Sequence, residues 1–354
     1  MIPFTSHQVN RLLLNKWSSF SKSPDYPMKV LYPLKNRGLV KVSGLEAATF
    51  LQGLITNDMN HFETGALSLY AMFLSNKGRV LYDTLVHKWG TENDNTFMLE
   101  CDKSIQNLLQ QHLKMYKLRR EIKIEDVNEM YRLWAFITPP DFDKDCCETD
   151  MKHNLSVYKD PRLAELGHRL ITTPDTSHVD IRQAIGKDIV IKNDEKEYQA
   201  LRYRLGVSEG AEDLFPNTCF PLEANCDYLH GVSFHKGCYI GQELTARVHH
   251  TGVVRKRIMP IQLLDIKNEE DLQKNATIWA ENETGRKNLG KLKAHIGSYG
   301  LGLVRIKEAL EAKTLNLGVN PIEVVKPHWW PVEAPKEKLN VLKTENETTP
   351  TPLG

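Results

Sequence analysis

No stretch of the 354 residues approaches the roughly 18 to 20 consecutive apolar positions that a membrane-spanning helix requires. With a mean hydropathy of -0.43, the chain is expected to work without inserting into a membrane. An excess of either charge is also missing: 46 basic residues meet 45 acidic ones, so no global field favours nucleic acid or an anionic surface. The six cysteines, at 101, 146, 147, 219, 226 and 238, contain no CxxC pair and lack the density of a secreted disulfide scaffold. They read as thiols of a reducing compartment, and the missing resolving cysteine argues against thiol redox catalysis. Neither a P-loop nor GxGxxG occurs, which leaves nucleotide binding without support.

Acidic side chains are missing from the first 24 residues, where Arg11, Lys16 and Lys22 stand among serines and threonines. In the same segment Val9, Leu12, Leu13, Trp17 and Phe20 recur at helical spacing, which is the composition of a mitochondrial transit peptide over residues 1–27.

The rest mixes strand and helix patterns without regular alternation, which predicts an α+β fold. A strand is expected at Gly38 to Val42. After it, Ser43 and Glu46 have capping-box spacing ahead of a short helix buried through Phe50, Leu51, Leu54 and Ile55. Leu67 to Leu74 and Arg79 to Lys88, joined by the turn formers 75–78, predict a hairpin. A strand over Asn95 to Cys101, an Asp102 cap, a helix over Lys103 to Lys117 and a strand over Glu121 to Val127 follow. Asp141 to Asp150 reads as a charged loop, and Asp194 to Leu205 as a helix. Short strand-like pieces between Arg257 and Pro327, separated by Gly- and Asn-bearing turns, predict a small antiparallel barrel. The expected division is a leader over 1–27, a core over 28–255, a barrel over 256–330 and a disordered tail over 331–354, the last from its Lys, Glu, Thr and Pro content.

The segment with most chemistry is Lys236 to Glu243, KGCYIGQE. Cys238 reads as a nucleophile, a metal ligand or an inert core thiol, and the segment alone favours inertness no less than reactivity. A thiol becomes useful as thiolate, and Lys236 and His235 are the local groups able to favour that form. Gly237 and Gly241 allow tight turns. Cys219, Cys226 and Cys238 have no closed zinc spacing, although a single thiolate can complete a metal site shared with another protein.

Taken with YRLGVSEGAEDL, LSNKGRVLYD and LQGLITND, this segment resembles the YgfZ-like family of folate-binding-fold proteins over about residues 36 to 330. The leader points to its mitochondrial branch. The resemblance implies the fold of the glycine-cleavage T-protein, a mixed-sheet α+β core followed by a C-terminal barrel. Also implied is a factor of the mitochondrial matrix acting late in [4Fe-4S] protein maturation, in which Cys238 ligates a transient cluster shared with an A-type scaffold partner.

By the same resemblance tetrahydrofolate binds in a central cavity, with Glu209 gripping the pterin and Asp83 near the reactive nitrogens. Each has a plainer reading, Asp83 as a hairpin ion-pair partner and Glu209 as a loop carboxylate. Arg247, Arg255, Lys256 and Arg257 would meet a folate tail or an acidic partner, Arg247 being the strongest of them, and Tyr239 would contact cofactor or pack. The competing function is a tetrahydrofolate-dependent one-carbon transferase working through Asp83 and Glu209. The thiol at 238 argues against simple aminomethyl transfer, because T-protein-like enzymes lack it.

Overall fold

The computed structural model describes residues 29–90, 94–139, 149–150, 154–282 and 285–331. The transit-peptide segment, most of the 141–150 loop with Cys146 and Cys147, and the tail from 332 lie outside the described residues.

A five-stranded antiparallel sheet runs in the spatial order Ser68–Leu74, Val80–Lys88, Thr96–Asp102, Arg37–Ser43 and Lys123–Asp126. Period-two alternation divides its side chains between two cores. Tyr70, Met72, Leu74, Leu85 and Met98 enter the central core, whereas Ala71, Phe73, Val86, Phe97 and Leu99 face the other way. That second face is covered by Leu109 and Leu113 of the helix Gln106–Lys117 and by Phe50 and Leu51 of the helix Ala47–Gln52. The expected hairpin, strands and Asp102 cap are all present, the cap accepting from Ser104 N at 2.8 Å.

The expected capping box at Ser43 does not form. Ser43 is the last residue of its strand, paired with Thr96 and Lys123, so the helix begins only at Ala47. Glu46 reaches sideways instead, accepting from Glu121 N at 3.3 Å.

A second, six-stranded sheet has the order Ile189–Ile191, Lys29–Pro33, Arg132–Ile137, His168–Thr172, Leu155–Lys159 and Thr149–Asp150. It is mixed, since Lys29–Pro33 pairs parallel to Ile189–Ile191 and antiparallel to Arg132–Ile137. These strands and the helix His178–Ile185, which carries a capping box between Ser177 and Asp180, answer to no expectation from the sequence. The expected helix before Gly206 is Lys196–Leu205, ended by Gly206 at a left-handed φ of 80°.

The third unit is a closed antiparallel barrel of Lys256–Leu263, Tyr299–Arg305, Gly285–Ile296, Thr277–Asn282, Leu315–Leu317 and Asn320–Val324. It fulfils the expectation of a small antiparallel barrel. Arg257 anchors it to the core: the guanidinium donates to both oxygens of Asp227, at 2.7 and 2.8 Å, and to Leu222 O at 2.7 Å. Arg257, 3% exposed, is therefore unable to serve the folate tail or acidic partner expected for it. Among the described residues, no helix is long and apolar enough to cross a membrane.

Candidate functional site

The expected site residues fall into two separate places. Asp83 and Glu209 come together where the sheets and the helix Lys196–Leu205 meet: Asp83 leaves the Val80–Lys88 strand and accepts from Gly210 N at 3.0 Å, next to Glu209. Around them lies a buried ionic network that the sequence reading missed. Glu209 Oε2 accepts from Arg169 and stands 2.7 Å from Nη2 of both Arg162 and Arg169. Tyr198 OH donates to the same oxygen at 3.4 Å. Arg169 also donates to both oxygens of Glu100 at 3.2 Å, and Arg37 to Glu100 at 3.0 Å. Arg162 forks onto Asp160 at 3.0 and 2.7 Å, and Arg202 binds Asp213 at 2.8 Å. The available signal was arginine inside apolar strand runs, as in HRLIT.

Five carboxylates, Asp83, Glu100, Asp160, Glu209 and Asp213, thus share four guanidinium groups, those of Arg37, Arg162, Arg169 and Arg202. Burial alone would raise Glu209, but Arg162, Arg169, Arg37 and Arg202 hold it well below the usual carboxylate range. Glu100 is likewise depressed, chiefly by Arg169 and Arg37 acting against its burial. Asp83 moves the other way. Burial pushes it up and Glu209 adds repulsion, while Arg37, which binds Glu100 more closely, compensates it only from 3.5 Å.

A cavity of about 600 Å³ opens beside this network, lined among others by Arg37, Glu195, Tyr198, Arg202 and Glu209. Asp83, 2% exposed, is not part of its wall. Arg202 Nε and Glu195 Oε2 are buried without a hydrogen bond, and Glu209 Oε1 faces Arg202 Nε at 3.6 Å. One unsatisfied donor and two carboxylate oxygens fit a polar heteroaromatic ring with an amino edge and a ring carbonyl, such as the pterin of tetrahydrofolate.

Lys236, Cys238 and Tyr239 lie elsewhere, in a loop before the helix Gln242–Thr251, and none of them lines that cavity. Arg247 is exposed on that helix and does not line it either, so the folate-tail contact expected of it has no geometric support. Tyr239 is 9% exposed and packs in the central core, where burial raises its phenol; this packing displaces the expected cofactor contact.

The expected activation of the thiol by Lys236 is also corrected. Its ammonium donates to Gln52 O at 2.7 Å, Ile55 O at 2.9 Å and Asn57 O at 2.6 Å, which uses all three N–H groups. Burial lowers its pKa to about 8 against the opposing attraction of Asp58. Lys236 therefore staples the loop to the turn after the first helix. Ile240 N adds a bond to Gly53 O at 3.2 Å, and Phe234 stacks on His249 with ring centroids 3.5 Å apart.

Gly241 seals the other side of the loop. It has φ of 79°, and a Cβ there would stand 2.3 Å from Ser75 O in the hairpin turn. Gly237 has open space around it, so the loop does not need glycine there. The clip leaves Cys238 exposed, whereas Cys101, Cys219 and Cys226 are buried. Burial pushes the thiols of Cys101 and Cys219 up to about 12 and raises Cys226 further. Among the described residues no group of three or more His, Cys, Asp or Glu side chains is placed to hold a metal ion.

Residues 255–332 match the family described as CAF17, C-terminal beta-barrel domain. The chain is 38% identical over 317 residues to the mouse protein "Iron-sulfur cluster assembly factor IBA57, mitochondrial", covering 86% of each chain. To the human protein of that name it is 35% identical over 316 residues, covering 85% of each. Among solved structures, glycine cleavage system aminomethyltransferase T from Bartonella henselae shares the fold, with TM-score 0.65 at 14% identity and 86% of each chain covered.

Replacing Gly241 by Ala is expected to cost about 1–3 kcal/mol through backbone strain, before any steric shift, whereas Gly237→Ala is near neutral; urea unfolding of both variants checks this. Glu209→Gln leaves Arg162 and Arg169 undercompensated and is expected to cost about 3–5 kcal/mol at pH 7. Because Glu209 is depressed on folding, its contribution is complete above the ordinary carboxylate pKa and is lost as pH falls below it. The variant's stability should accordingly change less than that of wild type between pH 7 and acid, measured by denaturant midpoints across that range.

Proposed function

The chain belongs to the family of mitochondrial iron-sulfur cluster assembly factors named IBA57, and on that premise we propose that Cys238, as thiolate, ligates an iron-sulfur cluster shared with a second protein. The observation that carries this reading is the presentation of Cys238. It is the exposed thiol among the described cysteines, held on a loop braced from both sides by backbone contacts. In this reading the other iron ligands come from the partner, since no group of three or more possible ligands is assembled among the described residues. Ligation releases the thiol proton to solvent and donates a sulfur lone pair to iron, with no change of oxidation state.

The partner in this reading is an A-type scaffold protein of the mitochondrial matrix, and the products are [4Fe-4S] proteins matured late in the pathway. The cluster is cargo, and the protein presents a ligand without ordinary turnover. Tetrahydrofolate would be held in the cavity beside the ionic network by Glu209, Glu195 and Arg202, supplying there a polar ring for their unpaired atoms. Burial of Asp83 outside that cavity weakens the one-carbon transferase alternative, since a general base must reach the proton it removes.

Anaerobic reconstitution with an A-type scaffold is expected to give cluster absorbance that Cys238→Ala abolishes while leaving the thermal unfolding midpoint unchanged. Equal spectra for the two proteins would remove Cys238 from the ligand set. Tetrahydrofolate is expected to quench tryptophan fluorescence saturably, with affinity lowered at least tenfold by Glu195→Gln. Absence of saturable quenching, checked by calorimetric titration, would end the folate assignment.

A further inference from the structure

From Lys103 to Arg120 the chain carries five cations, Lys103, Lys114, Lys117, Arg119 and Arg120, and no acidic residue, although the whole chain is nearly neutral. The helix Gln106–Lys117 spends Leu109 and Leu113 on the five-stranded sheet. At about 100° per residue, Leu108, Gln111 and Met115 stand on the opposite face. There Leu108 is 51% and Met115 62% exposed.

The helix stops at a tight turn, closed by Arg120 N donating to Lys117 O at 3.1 Å. Leu118 holds its first corner with φ of 51° and ψ of -120°, the geometry that glycine favours in a type II′ turn. A leucine is strained there, and it gains nothing from the core, being 85% exposed. Arg119, also exposed, is the second corner. Leu45, 89% exposed, lies beside this turn, since its neighbour Glu46 accepts from Glu121 N and stands 3.9 Å from Arg120 Nε. Of the adjoining acids, Glu46 is thus engaged, and Asp102 accepts from Ser104 N and Ala211 N.

We propose that this face docks the protein on an anionic membrane surface. Leu118, Met115 and Leu45 enter the boundary between headgroups and acyl chains, and Lys114, Lys117, Arg119 and Arg120 meet lipid phosphates. Exposed aliphatic groups set among cations on an amphipathic helix are what such a surface binds, and long cationic side chains reach the phosphates while their stems stay among apolar groups. A helix face and a turn tip are convex, which suits a deformable lipid layer and offers a protein partner no pocket to fill. Relatives of the chain are named mitochondrial, so the lipid in question is that of the membrane bounding the matrix, whose cardiolipin is recognised by clustered cations. The protein lies on that surface without spanning it.

Binding to vesicles of phosphatidylcholine, alone or with about one fifth cardiolipin, is measured by co-sedimentation at about 50 and about 300 mM salt, either side of physiological ionic strength. The chain is used with and without residues 1–27, because that cationic segment would itself bind such vesicles. Both forms are expected to bind cardiolipin vesicles more weakly as salt rises, and the shorter form to ignore phosphatidylcholine. Lys114→Glu combined with Arg119→Glu is expected to weaken binding at least tenfold, at about fivefold for each cation lost from an anionic surface. Leu118→Gly is expected to weaken it about tenfold, the worth of one buried leucine, while its melting midpoint holds or rises because glycine fits the turn. All three positions are exposed, and circular dichroism melts confirm folding.

Binding that disappears with residues 1–27, binding unchanged in both variants, or equal binding to phosphatidylcholine alone overturns the proposal. Self-association without vesicles that the same variants abolish also overturns it, assigning the face to a second copy. Capture of polyglutamate without capture of vesicles overturns it in favour of an acidic protein.

Discussion

The Glu209 carboxylate, held between Arg162 and Arg169, is the junction on which the arrangement of the two sheets depends. Arg169 comes from the strand His168–Thr172 of the six-stranded sheet, and through Glu100 it reaches Thr96–Asp102 of the five-stranded sheet. Arg37 and Arg202 extend the same network to a neighbouring strand and to the helix that leans on the barrel. Buried ions of this kind add little net stability compared with an apolar core, but no member can be removed without stranding another. They therefore fix which strand faces which. The surplus of carboxylates over guanidinium groups falls on Asp83, which explains why Asp83 is raised while its neighbours are depressed.

Much of the five-stranded sheet was legible because alternation and turn formers coincide there, as in LSNKGRVLYD. The barrel was legible for the same reason. The capping box at Ser43 was misread because ladder pairing to Thr96 and Lys123 competes with helix capping, and local spacing contains nothing about those distant strands. In the six-stranded sheet the strand His168–Thr172 escaped notice because an arginine, Arg169, stands inside its short apolar run. An arginine in isolation reads as a surface residue, and only its pairing across 40 or more positions shows it to be internal.

The thiol segment shows both sides of this limit. KGCYIGQE announced its importance through its composition, and the family resemblance directed attention to Cys238. Its neighbour Lys236 was assigned to the thiol because the two are close in sequence. In the folded chain the ammonium instead meets carbonyls of residues 52, 55 and 57, about 180 positions away. Gly237 and Gly241 were both read as allowing tight turns, yet of the two only Gly241 meets another backbone, at the hairpin turn around Gly78. That turn belongs to the strand pair that also carries Asp83. One hairpin thus carries a buried carboxylate within its second strand and meets the loop of an exposed thiol at its turn.

This division separates the two sites proposed for the chain. The cavity next to Glu209 and the loop of Cys238 have no lining residue in common, so a ligand in one place is not required to touch the other. Sharing a cluster needs a ligand atom that projects to a partner, together with a backbone that does not have to be ordered when the partner arrives. The three carbonyl bonds to Lys236, the Phe234–His249 stack and the close approach of Gly241 to Gly78 supply that order beforehand. Acid-base transfer needs the opposite, a carboxylate open to a small substrate. Asp83, closed in by Gly210 and Arg37, belongs instead to the framework. The same scaffold thereby supports a fixed external thiol through an interior whose charges serve mainly to hold position.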